Sequence, residues 1–125
     1  MLTNEIKILR RLNHPNIVKL YEVYEFGEEI CLVMEYVAGE KLFNYIINQR
    51  KLSEEETSVI AKQLFLSLHH LQIHDIIHRD IKPENVLMNS LGCVKLSDFG
   101  ISKQLEQTTG FSKTFVGTVT YMYMN

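Results

Sequence analysis

The sequence is poor in the features that assign a chain to a specialised class of protein. It has two cysteines among 125 residues, Cys31 and Cys93, far apart in unrelated contexts. We therefore expect two reduced thiols rather than a disulfide. The formal net charge of −2 gives no sign of a nucleic-acid partner or of an anionic membrane surface. No apolar run is long enough to span a bilayer, and early charged residues interrupt any signal-peptide pattern. These absences favour a cytoplasmic location, with the nucleus as the alternative.

What the sequence does contain is a pattern of helices and short strands, in a chain the size of one small domain. Helical spacing of apolar residues predicts three helices, over residues 3–12, 41–49 and 53–74. Short apolar or alternating runs predict four strands, over residues 17–24, 30–36, 86–88 and 94–97. Ser53 and Glu56 have the spacing of a capping box, which marks the start of the third helix. From Gly100 onward the chain is polar and is predicted to be a long loop.

Two polar clusters interrupt the apolar strands in the second half of the chain. The first is HRDIKPEN at residues 78–85, and the second is DFG at residues 98–100. Because a predicted hairpin separates the clusters, we expect them to lie beside each other. Magnesium prefers hard oxygen ligands, which the carboxylate of Asp98 and the amide oxygen of Asn85 supply.

The same clusters contain groups suited to phosphoryl transfer. Asp80 is placed to orient an attacking hydroxyl and accept its proton, and Lys82 to contact the γ-phosphate as a point charge. The alternative is that Asp80, Asn85 and Asp98 are ordinary turn residues. Their joint spacing is too particular for that interpretation.

HRDIKPEN followed by DFG resembles the catalytic loop and magnesium-binding motif of eukaryotic-type protein kinases. The KPE run is similar to that of Ser/Thr kinases. The resemblance implies an enzyme, a protein serine/threonine kinase that transfers the γ-phosphate of ATP to Ser or Thr hydroxyls of protein substrates. ATP and Mg²⁺ are the implied cofactors. The implied catalytic residues are Asp80, Lys82 and Asn85, and the implied metal ligands are Asn85 and Asp98.

The resemblance also implies a nucleotide site. The matching positions are Met34, Glu35, Val37, Leu87 and Asp98. Met34 falls at the gatekeeper position, and Glu35 and Val37 belong to the hinge, whose backbone hydrogen-bonds adenine in the family. Leu87 matches the side chain that packs under adenine.

Regulatory positions of the family fall on four residues: Glu5, Arg79, Thr114 and Thr118. Glu5 matches the ion-pairing glutamate of the regulatory helix. Thr114 aligns with a common activating phosphorylation site, where a phosphate would pair with Arg79. Thr118 lies near the end of the activation segment. The apolar column that couples the two lobes in the family falls on Leu9, Leu20, His78 and Phe99.

The implied fold is α+β, a truncated bilobal protein-kinase-like fold. Residues 1–36 form the N-lobe remnant, a helix and a β-hairpin, and residues 37–40 form the hinge. Residues 41–125 form a mainly helical partial C-lobe with the catalytic loop and activation segment.

The run KPEN resembles the calmodulin-dependent group, whereas TFVGTVTYM is similar to kinases that activate MAP kinases, so the subfamily stays open.

The sequence departs from the family pattern at both ends. It has no glycine-rich loop and no lysine strand to pair with Glu5, and YMN at 123–125 stands where the family has Pro-Glu. We therefore expect the isolated chain to phosphorylate poorly or not at all. The alternative function is a non-catalytic, pseudokinase-like module that competes with an intact kinase. A gene-model fragment, a splice form and a truncated product would all give this pattern.

Other polar residues have an ordinary structural interpretation as well as a functional one. His69, His70 and His74 suggest a metal site, but no cysteine or carboxylate set completes it, so ordinary helical histidines are favoured. Glu40 and Glu84 are suited to attract a basic substrate peptide, with simple solvation as the favoured alternative for Glu40.

Overall fold

The computed structural model describes the backbone of residues 4–97 and the side chains of residues 6–97. The elements in chain order are α1 (Asn4–Arg11), β1 (Leu20–Phe26), β2 (Glu29–Met34), β3 (Gly39–Lys41), α2 (Leu42–Gln49), α3 (Glu54–Ile73), a 3-10 turn (Pro83–Asn85), β4 (Val86–Asn89) and β5 (Val94–Leu96). Four residues to which the sequence analysis assigns a role lie wholly outside this range: Asp98, Phe99, Thr114 and Thr118. The predicted loop after Gly100 lies outside it as well.

The first sheet is the predicted hairpin of β1 and β2. Antiparallel pairing runs from Leu20 opposite Met34 to Phe26 opposite Glu29. Gly27 closes the turn with a φ of 62°, a left-handed conformation that costs glycine little. The hairpin is therefore confirmed, with its first strand beginning later than predicted.

The apolar residues that precede β1 pair elsewhere. Val18 N–H donates to the Leu96 carbonyl at 3.0 Å, and Leu96 N–H donates to the Asn16 carbonyl at 2.8 Å. Ile17 thus forms a parallel bridge with Leu96 rather than part of the hairpin. This short bridge attaches the first third of the chain to β5.

The second sheet has the order β3-β4-β5, with antiparallel neighbours. Its strand β3 begins at Gly39, within the stretch predicted as the hinge. A Cβ on Gly39 would collide with the Met88 carbonyl oxygen, so only glycine lets the two backbones pair this closely. The predicted hinge boundary of 37–40 remains a prediction.

The predicted capping box begins α3. Ser53 Oγ accepts a hydrogen bond from Glu56 N–H at 3.1 Å, and Glu56 Oε2 accepts one from Ser53 N–H at 3.0 Å. The helical spacing over residues 53–74 predicts a buried stripe of Ile60, Leu64, Leu68 and Leu71, of which Ile60 and Leu71 are buried. Leu64 and Leu68 on the same stripe are half-buried and pack against the core.

The core joins α1, the β1 region and the second sheet. Its buried apolar members are Ile6, Leu9, Leu12, Ile17, Leu20, Leu42, Ile60, Leu71, Ile76, Val86, Met88, Val94 and Leu96. Burial of such a side chain stabilises the fold by about 1.5–3 kcal/mol. Among the described residues, no helix is both long and apolar enough to cross a membrane.

Candidate active site

A buried histidine anchors the predicted catalytic loop to the end of β5. His78 is 3% exposed, and its Nδ1 accepts a hydrogen bond from Asp80 N–H at 3.2 Å. Because Nδ1 is the acceptor, Nε2 carries the ring proton and donates to the Ser97 carbonyl at 2.8 Å. The loop is therefore tied to the residue that precedes Asp98.

The structure brings the three predicted catalytic residues together. Asn85 Nδ2 donates to the Asp80 carbonyl oxygen at 2.9 Å and to Asp80 Oδ2 at 3.1 Å. Lys82 Nζ lies 3.5 Å from the same Oδ2. The Asp80 and Lys82 side chains are 12% and 21% exposed, so solvent screens their ion pair only in part. These contacts hold the Asp80 carboxylate in one orientation.

Hydrogen bonds hold both the side chain and the backbone carbonyl of Asn85. The side chain is buried, and its amide nitrogen is committed to Asp80, so Oδ1 is the face left for a cation. The Asn85 carbonyl accepts hydrogen bonds from Ser97 N–H at 2.9 Å and from Ser97 Oγ at 3.0 Å. The end of the described chain at Ser97 is thereby held against Asn85; the second predicted cluster, residues 98–100, lies outside the described residues, so its place beside the first stays a prediction.

The predicted metal pair needs Asp98, which lies outside the described residues. Within residues 6–97, no group of three or more His, Cys, Asp or Glu side chains could hold a metal ion. The roles of Asn85 and Asp98 as metal ligands stay predictions. An amide oxygen beside a carboxylate is a donor set that fits Mg²⁺.

The catalytic loop also contains an unusual backbone conformation. Arg79 has a φ of 72°, although it is not a glycine. A residue held in this left-handed region costs on the order of 1 kcal/mol, and such residues cluster at functional sites. Arg79 is exposed. Its predicted phosphate-pairing role involves Thr114, which is not among the described residues.

At the predicted hinge, the Glu35 side chain has a role that the sequence did not indicate. Glu35 N–H donates to the Lys19 carbonyl at 2.7 Å, but Lys19 N–H donates to Glu35 Oε2 at 3.1 Å. In a regular antiparallel pair, Lys19 N–H would instead donate to the Glu35 carbonyl. The carboxylate therefore takes the place of its own carbonyl as the acceptor.

Glu35 also forms an ion pair across the sheets. Its Oε1 lies 2.7 Å from Lys95 Nζ on β5, and the two side chains are 24% and 17% exposed. Burial raises the pKa of the Glu35 carboxyl, but the hydrogen bonds from Lys95 and from the Lys19 backbone outweigh burial, so the pKa lies below its usual value of 4.5. The only sequence signal at Lys95 was the alternation of residues 94–97, which predicts a strand but does not identify an ion-pair partner.

The other predicted nucleotide and regulatory residues are placed as follows. Met34 ends β2 and packs against the core, and Val37 is half-buried in the connection to β3. Leu87 alternates with two buried neighbours on β4, so it faces the opposite side of that strand. Glu5 lies in α1, and its side chain is outside the described set. In the predicted apolar column, Leu9 and Leu20 are buried.

The rings of His14, His70 and His74 lie in tilted contact, and we call these three residues the histidine cluster. Within residues 6–97, no group of side chains is arranged to hold a metal ion. The ring centroids of His70 and His74 are 4.6 Å apart, and those of His14 and His70 are 5.0 Å apart. His14 was missed in the sequence because it comes from the α1–β1 loop. Exposed His69 is not part of this cluster.

Comparison with known proteins is consistent with this geometry. The family model described as protein kinase domain matches residues 1–123. Serine/threonine-protein kinase cds1 of Schizosaccharomyces pombe is 40% identical over 122 residues, which is 98% of this chain and 26% of that protein. NUAK family SNF1-like kinase 1 of Homo sapiens is 38% identical over 120 residues, 96% of this chain and 18% of that protein.

A solved structure shows the same fold. The crystal structure of Rad53 1-466 in complex with AMP-PNP superposes with a TM-score of 0.74 and 34% sequence identity, covering 78% of this chain and 27% of that one. This likeness confirms the predicted partial α+β kinase fold. The chain spans about a quarter or less of the length of these relatives. Since the domain model matches almost every residue, the chain belongs to the protein kinase family, among relatives named serine/threonine-protein kinases.

Proposed function

We propose that this chain carries the phosphotransfer centre of a serine/threonine protein kinase, which moves the γ-phosphate of ATP to a Ser or Thr hydroxyl of a protein substrate. The observation that carries the proposal is the Asp80 carboxylate, oriented by the Asn85 amide and the Lys82 ammonium. The burial of Asn85 and the anchoring of His78 to Ser97 make this arrangement rigid.

Each group has a distinct part in the proposed reaction. The Asp80 carboxylate orients the substrate hydroxyl and accepts its proton as the oxygen attacks phosphorus. Lys82 adds a positive charge close to Asp80, where negative charge spreads over the transferred phosphoryl group. Because phosphoryl transfer depends mostly on positioning, fixed hydrogen bonds among these residues matter more than any single strong contact.

The proposed cofactors are ATP and Mg²⁺. Magnesium would be held by Asn85 Oδ1 and the Asp98 carboxylate, and it neutralises charge on the phosphates when bound. Within residues 4–97, no hydrogen bond engages the Glu35 carbonyl or the Val37 amide, so both suit an adenine edge. Leu87 would pack under the base. The likeness to a Rad53 structure solved with AMP-PNP supports the nucleotide.

The regulatory and cellular parts of the proposal rest on the resemblance alone. They comprise pairing of a phosphate on Thr114 with Arg79, an ion pair of Glu5, a role for Thr118 near the end of the activation segment, and a cytoplasmic or nuclear location.

Nucleotide binding is the first test. We expect Mg²⁺ with AMP-PNP to raise the melting temperature of the purified 125-residue chain. Ligand at about a hundredfold excess over its Kd stabilises a protein by about 2.7 kcal/mol. This increase in melting temperature should disappear when EDTA is added, and it should be absent in the Asp98→Ala variant. A melt that the nucleotide leaves unchanged would contradict the proposal.

Phosphotransfer is the second test. With radiolabelled ATP and a generic basic protein substrate, any transfer by the chain should drop at least about a hundredfold in Asp80→Asn, because the variant lacks the proton acceptor. Asp80→Asn should still bind Mg²⁺ with AMP-PNP. Transfer that survives in Asp80→Asn would show that another residue is the base.

A non-catalytic binding module is the second candidate function. It is favoured by large apolar side chains on the outer surface of α3, where Phe65 is 69% exposed and Ile73 is 61% exposed. Nucleotide-dependent stabilisation without any Asp80-dependent transfer would favour this candidate.

A further inference from the structure

The backbone pairing of the hairpin changes just after β2. Glu35 follows β2, and its N–H donates to the Lys19 carbonyl at 2.7 Å, as in a regular antiparallel ladder. The return hydrogen bond is different, because Lys19 N–H donates to Glu35 Oε2 at 3.1 Å. The Glu35 carbonyl therefore accepts no hydrogen bond within residues 4–97. This exchange of acceptors leaves a main-chain carbonyl unpaired at the end of the hairpin.

One cation holds the Glu35 carboxylate in this position. Lys95 Nζ on β5 lies 2.7 Å from Oε1, the oxygen that Lys19 does not use. Both side chains of the pair are largely shielded, so solvent screens their attraction less than it screens a surface pair. Each carboxylate oxygen thus has its own donor. The carboxylate can turn away from the Lys19 amide only by breaking its contact with Lys95.

The Lys19 amide is held independently of Lys95. Lys19 Nζ donates to the Leu12 carbonyl at 2.6 Å, just after α1, where a helix leaves carbonyls without partners of its own. Glu35 N–H holds the Lys19 carbonyl on the other side. If the carboxylate were released, Lys19 N–H would stay opposite Glu35, and the Glu35 carbonyl is the acceptor that completes a regular ladder.

Strand register places Lys95 at the proposed nucleotide site. Lys95 alternates with buried Val94 and Leu96, so its side chain leaves β5 on the opposite face. Leu87 of β4 lies directly opposite Lys95 in the antiparallel pair, and residues paired in this way share one face of a sheet. Leu87 is the residue proposed to pack under the base. The pair of Lys95 and Glu35 therefore lies beside the floor of the proposed adenine site.

An unpaired carbonyl suits one feature of adenine. The 6-amino group of adenine donates hydrogen bonds, whereas guanine has an oxygen acceptor at the same position. A carbonyl that is not used by the hairpin can accept from the amino group, and it repels the guanine oxygen. A carbonyl drawn into the ladder by Lys19 N–H would point towards that amide and would be poorly aligned with a base. The pairing state of the Glu35 carbonyl therefore affects which base is favoured.

We propose that Lys95 is a positioning residue for base selection. By holding the Glu35 carboxylate on Lys19 N–H, Lys95 keeps the Glu35 carbonyl out of the ladder and available to the adenine amino group. Lys95 acts through Glu35 and touches no reacting atom. This inference rests on the proposed nucleotide site and extends it to a residue outside the motifs at 78–85 and 98–100.

The test compares two nucleotides that differ only in the 6-amino group, ADP and purine riboside 5′-diphosphate, each with Mg²⁺. Isothermal titration calorimetry on the purified 125-residue chain measures both Kd values. We expect the unmodified chain to prefer ADP about fivefold, as for one net hydrogen bond. Lys95→Met, which keeps an aliphatic stem but no charge, should reduce this preference to less than about twofold, and weaker binding of ADP should account for the change.

Two further variants separate positioning from a general loss of stability. Glu35→Ala keeps the backbone carbonyl but removes the carboxylate, so it should lose the preference to the same extent. The double variant of Glu35→Ala with Lys95→Met should lose no more than either single variant, because both act on one carbonyl. Lys95→Arg keeps a cation and should retain most of the preference. If Glu35→Ala does not fold, the contrast between Lys95→Met and Lys95→Arg decides.

The matched controls break an ion pair of the same length elsewhere. Arg10 and Glu22 approach to 2.7 Å on the exposed side of α1 and the hairpin. Neither Arg10→Met nor Glu22→Ala should change the preference for ADP, since neither residue contacts Glu35 or Lys95.

The results separate this inference from the proposed function. A chain that binds both nucleotides equally would overturn the inference. So would a preference for ADP that Lys95→Met and Glu35→Ala leave unchanged, even if both nucleotides bind more weakly, because a purely structural role weakens the two by the same factor. In either case the nucleotide site itself would stand. Failure of the unmodified chain to bind either nucleotide would overturn the proposed function together with this inference.

Discussion

At the scale of single residues, two ion pairs of the same length have different surroundings. Glu22 and Arg10 approach to 2.7 Å with both side chains about half exposed, at 46% and 48%. Glu35 and Lys95 approach to the same distance with 24% and 17% exposed. Solvent screens the first pair, so it contributes little, whereas the second lies where an uncompensated charge is costly. Burial rather than distance therefore determines what each pair contributes.

We expect Glu35→Gln to destabilise the chain by roughly 1–2 kcal/mol near neutral pH and Glu22→Gln by less than about 0.5 kcal/mol. Urea unfolding of the two variants at pH 7 measures the difference. Because the pKa of Glu35 is lowered in the folded state, its contribution is present above pH 4.5 and is lost as the pH falls through the folded pKa. Equal costs for the two variants would show that the Lys95 contact is worth no more than a surface pair.

The proximity of site residues was predictable from the sequence where they lie close together in the chain. Asp80, Lys82 and Asn85 share one short segment, so their proximity follows from local spacing, and the structure confirms it. The partner of Glu35 is sixty positions away on another sheet, and only strand register brings Lys95 to it. A pattern of polar and apolar residues does not encode that register, which depends on how the sheets pack.

At the scale of elements, helix α3 has a capped N-terminus, a buried side and an exposed side. Its N-terminus has a reciprocal capping box and three glutamates in the first turn, which suit the positive end of the helix dipole. Its inner side is buried, but Val59 and Phe65 are largely exposed. The stability of this helix therefore depends on its N-terminal cap as well as on packing.

Removing the cap should destabilise the helix measurably. Ser53→Ala loses the side-chain acceptor for Glu56 N–H, so we expect a loss of about 1 kcal/mol, measured by thermal unfolding with circular dichroism. Ser58→Ala is the matched control, since Ser58 is exposed within the same helix. Alanine favours helix interiors, so this control should be neutral or slightly stabilising. Two variants with the same melting temperature would contradict a stabilising role for the box.

The elements themselves were predictable to different degrees. The capping box and the long apolar stripe located α3 well because both signals are local to the helix. Strand β3 was missed because a glycine usually interrupts a strand, and here Gly39 is needed for close pairing with Met88. The start of β1 was placed too early because Ile17 and Val18 are apolar, although they pair with Leu96 of β5.

At the scale of the whole molecule, the histidine cluster connects parts of the chain that are far apart in sequence. His14 belongs to the loop after α1, His70 belongs to the last turn of α3, and His74 is the residue that caps its C-terminus. His14 Nδ1 accepts a hydrogen bond from Asn16 N–H at 3.0 Å, which requires an unprotonated nitrogen. His70 Nε2 is buried and has no hydrogen-bond partner among the described residues. Protonation of either ring would therefore weaken this connection.

The histidine cluster should make the stability of the chain depend on pH in the mildly acidic range. Burial, then the Lys95 charge, lowers the pKa of His14. Burial, then the charges of His74, His14 and His69, lowers the pKa of His70. Because both pKa values are depressed in the folded state, the unfolded chain binds more protons below pH 6.5, so stability present above that pH is lost as the pH falls.

We therefore expect the urea midpoint to decrease from about pH 7.5 to about pH 5.5, a window that lies above the titration of Glu35. His70→Phe keeps an aromatic ring in the histidine cluster but cannot be protonated, so its midpoint should decrease less over the same window. His69→Phe removes only the smallest of the three histidine charges that lower the pKa of His70, so it should keep most of the decrease. If His70→Phe and the unmodified chain lose stability equally, the pH dependence has another origin, and the histidine cluster does not respond to protons.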